Sequence, residues 1–229
     1  MEGTLLIELL VAVTVFLLSH MIPMRPRFRQ PLERWLGRKG FLLGYSLLSL
    51  AIIYWLAQAF ADAPYIALWP WTRLAAWLPV LLMPLACVLV VAGASSSNPF
   101  SLGPGGRGYD PEHPGIVSVS RHPLLWGLVI WAGAHIPVNG DAAGVILFGL
   151  LLILSLVGTL TLERARQRKL APLQWQRLRR GTVNIPFSAF ARIDWRGIGG
   201  WRLLGGILLY LLLLFGHQPV LGVAPPVFY

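Results

Sequence analysis

Long runs of apolar positions, separated by short clusters of charged or turn-forming residues, recur along this chain. Six runs stand out, at about 4–22, 41–60, 74–94, 123–138, 142–162 and 203–220. Most approach the roughly 20 residues that carry a helix across the hydrocarbon core of a bilayer. Lipid leaves every backbone N–H and C=O to be satisfied within its own segment, so such runs span as helices. The pattern predicts an all-α, polytopic integral membrane protein of six transmembrane helices, forming a single domain over 1–229. The first run starts almost at once, without a basic leader, and Pro23-Met24-Arg25 offers no small-residue cleavage site. It reads as a retained helix rather than a signal peptide.

Composition strengthens this reading. Only 12% of the residues are charged, against roughly a quarter in a soluble domain. The formal charge of +10 would suggest nucleic acid in a soluble protein, but the placement of the charges points elsewhere. The 23–40 loop holds six Lys/Arg, from Arg25 to Lys39. The 95–122 loop holds Arg107 and Arg121, and the 163–202 loop holds ten, from Arg164 to Arg202; only Arg73 lies on the opposite side. By the positive-inside rule these three loops are cytoplasmic and both termini lie outside. The expected location is the bacterial inner membrane, with lipid headgroups rather than nucleic acid as the partner of the basic loops.

Local signals agree. Trp69, Trp71, Trp77 and Trp201 sit where interfacial aromatics are expected. Asn139-Gly140-Asp141 reads as a tight outer turn with Asp141 capping the fifth helix, and Pro123 suits the first turn of the fourth. Ser95 to Gly108, rich in Ser and Gly, reads as a flexible stretch. Arg164 to Arg180 reads either as a solvated basic loop or as a surface helix. In the second case it would lay Leu170, Leu173, Trp175 and Leu178 against the membrane.

Candidate chemistry rests on polar groups at membrane depth, which are costly and therefore mark function by default. Of the five histidines, His20, His122, His135 and His217 lie in or at the ends of helices, and His113 lies in a polar loop. Imidazole ligates iron, copper or zinc and relays protons. The lone Cys87 excludes a cysteine-pair metal site, and carboxylate clusters are missing. A histidine-based set, such as the axial pair of a haem, is the metal chemistry left. Each ring also has a plainer role: His20 as a cation at a helix C-terminus, His122 as a cap, His135 among small packing residues, and His217 as an interfacial side chain. Glu8 reads as an interfacial carboxylate or, alternatively, a proton carrier. No phosphate-cradling loop, nucleophile elbow or zinc-protease helix occurs. Helix depth alone pairs His20 with His122, or His135 with His217, because 13 positions separate His122 from His135, roughly 20 Å of helix axis.

Ser120-Arg121-His122-Pro123-Leu124-Leu125-Trp126-Gly127, Trp131-Ala132-Gly133-Ala134-His135 and Asn139-Gly140-Asp141 resemble the NnrU family. So do Ser19-His20 with Gly37-Arg38, and Gly216-His217-Gln218-Pro219 with Leu221-Gly222-Val223-Ala224-Pro225, in the same order along nearly the whole chain. The resemblance implies an association with nitrogen-oxide metabolism. Through a plant relative, 15-cis-zeta-carotene isomerase, it also implies haem b held at the positions of His20 and His135. That relative has a cysteine where this chain has Ala132, so a role for the thiol does not carry over. Arg121-His122-Pro123 with Gly127, Glu163, Trp175 and Ile185-Pro186-Phe187 is more loosely similar to isoprenylcysteine and phospholipid methyltransferases. That similarity implies an S-adenosylmethionine site near Arg121, His122 and Glu163.

Three functions follow as expectations. The first is a haem-dependent isomerase or redox-type enzyme acting on an apolar small molecule. The second is an S-adenosylmethionine-dependent membrane methyltransferase, and the third a non-enzymatic transporter or regulator in denitrification.

Overall fold

The computed structural model describes residues 2–23 and 25–228, with side chains for all of these but 2–4 and 26. Its elements are α1 (Glu2–Met21), α2 (Pro26–Ala61), α3 (Arg73–Ser95), α4 (Ile116–Val119), α5 (Pro123–Asn139), α6 (Ala142–Gln167), α7 (Pro172–Leu178), α8 (Trp195–Ile198) and α9 (Gly200–Leu221). Short 3-10 turns occur at Phe190–Arg192 and Pro226–Phe228. Among the described residues there is no strand, only an isolated bridge between Ala67 and Asp141. The protein is all-helical, and every apolar run of the sequence lies within a helix.

Four helices are long and apolar enough to cross a membrane: Arg27–Ala61, Arg73–Ser95, Ala142–Gln167 and Gly200–Leu221. In the most apolar stretch of the last, only 6% of residues are buried inside the protein. Water would not tolerate so much bare Leu and Ile surface, whereas lipid does. The apolar length Leu5–Met21 is shorter. So is α5, whose 17 residues give about 26 Å of axis.

One boundary departs from expectation. The arginine-rich 23–40 segment reads as a loop in sequence, yet it is helical from Pro26, and α2 runs 36 residues with a break at Gly37 (φ 71, ψ 161). That positive φ is open to glycine at little cost. The Arg29 and Glu33 side chains pair at 2.9 Å, one helical turn apart, on the basic half of the helix.

The chain divides into two units. The first comprises 1–69 and 141–147. Here α1 packs on α2, and Leu9, Ala12, Leu56, Ala59 and Ala143 form the core. Asp141 caps α6 as expected, its carboxylate accepting from the Gly144 N–H at 3.3 Å. The Ala142 N–H meanwhile donates to the Ile66 carbonyl.

The second unit, 70–140 and 148–229, is organised around α3, which packs against both α5 and α9. Thr72 caps α3 by accepting from the Ala75 N–H. Small residues set the spacing. A Cβ added at Gly127 of α5 would lie 2.7 Å from Val90 Cγ2 and 2.8 Å from the Ala86 carbonyl oxygen. One added at Gly206 of α9 would lie 2.5 Å from Val88 Cα. At the loop end of this seam Arg202 donates to the Ser95 hydroxyl and carbonyl, fastening the start of α9 to the end of α3.

The core of this unit lies largely in the connecting segments, packed against the last turns of α3. Leu89, Ala92, Phe100, Ile116, Val117, Val119, Trp175, Ile193 and Ile198 form it. Two expectations change accordingly. Ser95–Gly108 is not a loose strap: Phe100 and Asn98 are buried, the Asn98 N–H donates to the Gly105 carbonyl, and Phe100 meets Trp175 edge-on at 5.4 Å. Nor does Arg164–Arg180 lay one apolar face on a membrane. Trp175 is 3% exposed, Leu170 and Leu178 pack against the same core, and only Leu173, at 80%, points outward. Three of the four apolar side chains had a nearer hydrophobic surface than lipid.

The glycine seam gives a direct expectation. Gly127→Ala and Gly206→Ala each destabilise by about 1–3 kcal/mol through overpacking, read as a lower thermal midpoint in detergent. Gly216→Ala, where the added Cβ meets nothing within 4 Å, leaves the midpoint unchanged or raises it. A Gly127→Ala protein as stable as the wild type would mean that α3 and α5 are held apart by something else.

Candidate functional site

Residue 122 precedes a proline, which pushes it out of helical conformation, and α5 begins at Pro123 with His122 (φ −125, ψ 54) as its N-cap residue. The turn before it is fixed by backbone bonds to the returning segment of the chain at 182–187. The Arg121 N–H donates to the Val183 carbonyl at 2.7 Å, and the Phe187 N–H donates to that of Val119. The Ser120 hydroxyl donates to the Asn184 carbonyl at 2.6 Å while accepting from the His122 N–H at 3.0 Å. Asn98 reaches in from the Ser95–Gly108 segment to donate to the Arg121 carbonyl at 3.0 Å.

On this frame Arg121, His122 and Glu163 converge, as the methyltransferase-like pattern anticipates. Arg121 Nη2 donates to Glu163 Oε1 at 2.7 Å, and Nη1 donates to the Thr182 carbonyl at 2.9 Å. Glu163 Oε2 accepts from Asn184 Nδ2 at 3.1 Å, and the Trp126 indole donates to Asn184 Oδ1 at 3.4 Å. His122 is 0% exposed, with Nε2 3.5 Å from Glu163 Oε2. Neither of its ring nitrogens has a hydrogen-bond partner. A buried imidazole left unsatisfied costs about 1–3 kcal/mol, so it marks a position with a purpose beyond packing. Beside a paired carboxylate, it can take up or release a proton or hold a polar ligand atom.

Asn184, Asn98 and Thr182 belong to this cluster and escaped the sequence reading. The only trace of them is an Asn placed just before Ile185-Pro186-Phe187, a pattern too common to single out.

The remaining histidines behave differently. In the first unit, His20 Nδ1–H donates to the Phe16 carbonyl at 2.8 Å. The ring lies 4.3 Å from that of Phe16 and 6.0 Å from that of Tyr45, centroid to centroid. In the second unit, His135 Nδ1–H donates to the Trp131 carbonyl at 2.7 Å, and the ring stacks on Phe148 at 5.1 Å. His217 Nδ1–H donates to the Val223 carbonyl at 2.8 Å. A carbonyl can only accept, so each of these rings carries its proton on Nδ1 and presents Nε2 as a lone pair. Metal-ligating histidines are held in this way. His113 stays in its polar loop, where its backbone N–H closes a turn on Asp110. Glu8, exposed on α1, accepts from the Trp55 indole at 3.2 Å, as an interfacial carboxylate would.

Each of the His20, His135 and His217 rings is oriented as a single axial ligand would be. Among the described residues no group of three or more His, Cys, Asp or Glu side chains gathers to hold an ion. A haem asks the protein for no more than two axial groups, and an imidazole oriented through Nδ1 is one of them.

A family model described as NnrU protein matches residues 8–225 of the chain. No curated protein matches. No solved structure does either.

The Arg121–Glu163 pair supplies a test of the cluster. Glu163→Gln leaves the Arg121 guanidinium buried without its counter-charge, at a cost of about 2–4 kcal/mol in thermal unfolding. Adding Arg121→Gln recovers part of this, so the double variant loses less than the sum of the singles. Strict additivity would mean that the two side chains do not act as a pair.

Proposed function

This chain belongs to the NnrU family, and from that membership we propose a haem b-binding protein of the bacterial inner membrane that spans it six times. It works as an isomerase or redox-type enzyme on an apolar small molecule, in a setting of nitrogen-oxide metabolism. The observation that carries the reading is the shared arrangement of His20 and His135. Each donates Nδ1–H to the carbonyl four residues earlier, at 2.8 Å and 2.7 Å, and so offers Nε2 to a ligand.

His20 and His135 are the haem ligands in this reading. Bound there, the iron supplies one-electron redox change or Lewis acidity. The chain's own residues do the rest. The Phe16 and Trp131 carbonyls fix ring orientation and tautomer. Phe148, stacked on His135, limits ring rotation and adds apolar surface. Ala132, fully buried beside it, brings no thiol to the reaction. The six-span topology is supported by six apolar runs that are all helical and by Lys/Arg confined, Arg73 apart, to the segments 25–39, 107–121 and 164–202 between them. These segments are then cytoplasmic and the termini outside.

Expressed with a haem supply and purified in detergent, the protein shows a Soret band that shifts on reduction. His20→Ala and His135→Ala each weaken or shift it, while His113→Ala leaves it unaltered. A colourless preparation would sink the haem reading, and spectra unaffected by both alanine variants would transfer ligation to other histidines.

A second reading is favoured by one observation, the convergence of Arg121, Glu163 and the unpartnered His122. On it, the protein is an S-adenosylmethionine-dependent methyltransferase, with this cluster holding the polar end of the cofactor. Calorimetric titration separates the two: saturable heat with S-adenosylmethionine, lost in His122→Ala, supports methyl transfer, and no heat at millimolar cofactor retires it.

A further inference from the structure

Where α6 runs out of apolar residues, its last turn and α7 enclose an open cleft of about 470 Å³. That is within the range of small-molecule sites, about 300–1,000 Å³. Arg164, Arg168 and Arg179 line it, together with Gln167, Gln176 and Trp175. Among the described residues none of the three guanidiniums makes an ion pair or a side-chain hydrogen bond. The carboxylate next in sequence, Glu163, is already taken by Arg121 and Asn184. No Asp or Glu follows it until Asp194. The cleft therefore gathers positive charge with no protein counter-charge.

Trp175 lines the cleft on its core side, 3% exposed and edge-on to Phe100. The charge on the cleft is all arginine, whose planar fork matches the oxygens of a phosphate better than the point charge of lysine does.

We propose that the cleft bounded by Arg164, Arg168, Arg179 and Trp175 is a specific binding site for a phosphate group. That group is either the headgroup of an anionic phospholipid or a soluble phosphate. The site is separate from the Arg121–Glu163 cluster, and the proposal does not depend on haem. The three arginines are exposed and make no structural bond, so replacing them leaves the fold intact.

The full chain, reconstituted in phosphatidylcholine nanodiscs, is tested with two probes: added phosphatidylglycerol, counted by native mass spectrometry, and inorganic phosphate, followed by thermal shift. The expected result is saturable binding of one probe. It falls at least about tenfold in the Arg164→Gln/Arg168→Gln/Arg179→Gln variant, because arginine–phosphate contacts are bidentate and charge-assisted. Arg25→Gln/Arg27→Gln/Arg34→Gln removes the same charge elsewhere and loses no more than about threefold, a diffuse electrostatic effect. Retention of phosphatidylglycerol that inorganic phosphate does not displace identifies a lipid site. A thermal shift with phosphate alone identifies a soluble ligand. Equal losses in the two triple variants, or no saturable binding of either probe, overturns the proposal.

Discussion

The carboxylate of Glu163 meets two segments that are far from it in sequence. Arg121, at the start of α5, pairs with one oxygen and Asn184, on the returning chain, bonds the other. Nearly buried charges are tolerable only when paired and fully hydrogen-bonded, so this carboxylate dictates where both partners must stand. The backbone bonds around Arg121 and Val183 then follow, as does the Ser120 bridge to Asn184. Asn98 extends the network into the segment before α4. Through it, loops 95–122 and 163–202 become one folded layer, with Phe100 and Trp175 at its centre.

That layer explains why the hydrophobic core and the long helices separate. In water, apolar burial drives helix association, but lipid is as apolar as the side chains it would displace. The α3–α5 and α3–α9 seams rely instead on close approach at Gly127 and Gly206, while Phe100, Val117, Val119 and Trp175 collapse on one another and on Leu89 and Ala92 at the loop end of α3. Arg202, bonded to Ser95, joins the two regimes where α3 and α9 meet the loop layer.

How much of this could be read in the sequence follows the same division. In lipid an apolar run satisfies its backbone as a helix, and each of the six appears as one, four of them long and apolar enough to span. Asp141 caps α6 as its turn suggests. The connecting segments were harder, because their fate depends on contacts between residues distant in sequence. Ser95–Gly108 has the composition of a flexible strap, and only the arrival of Tyr109 and Trp175 beside Phe100 makes it structured. The positive φ at Gly37 lets a basic helix precede the apolar part of α2, where charge density alone suggested a loop. In the site, Arg121, His122 and Glu163 were legible from a short motif plus one acidic residue. Asn184, a neutral side chain in a loop, becomes visible only when it is seen bridging Glu163 and Trp126.

The histidines sort into two kinds, and the sorting limits what each can do. His20, His135 and His217 give Nδ1–H to a backbone carbonyl, which fixes the direction of the Nε2 lone pair. His122 has only a long contact, 3.5 Å from Nε2 to the Glu163 carboxylate, although burial makes a poorly satisfied imidazole expensive. A ring in that condition gains most from a proton shared with Glu163 or from a polar atom delivered by a ligand, and is poorly oriented to be a metal's axial group. On the haem reading proposed above, ligation and proton handling would fall to different imidazoles of this chain. A substitution at His122 would then alter chemistry without disturbing a haem spectrum, whereas one at His20 or His135 would change it.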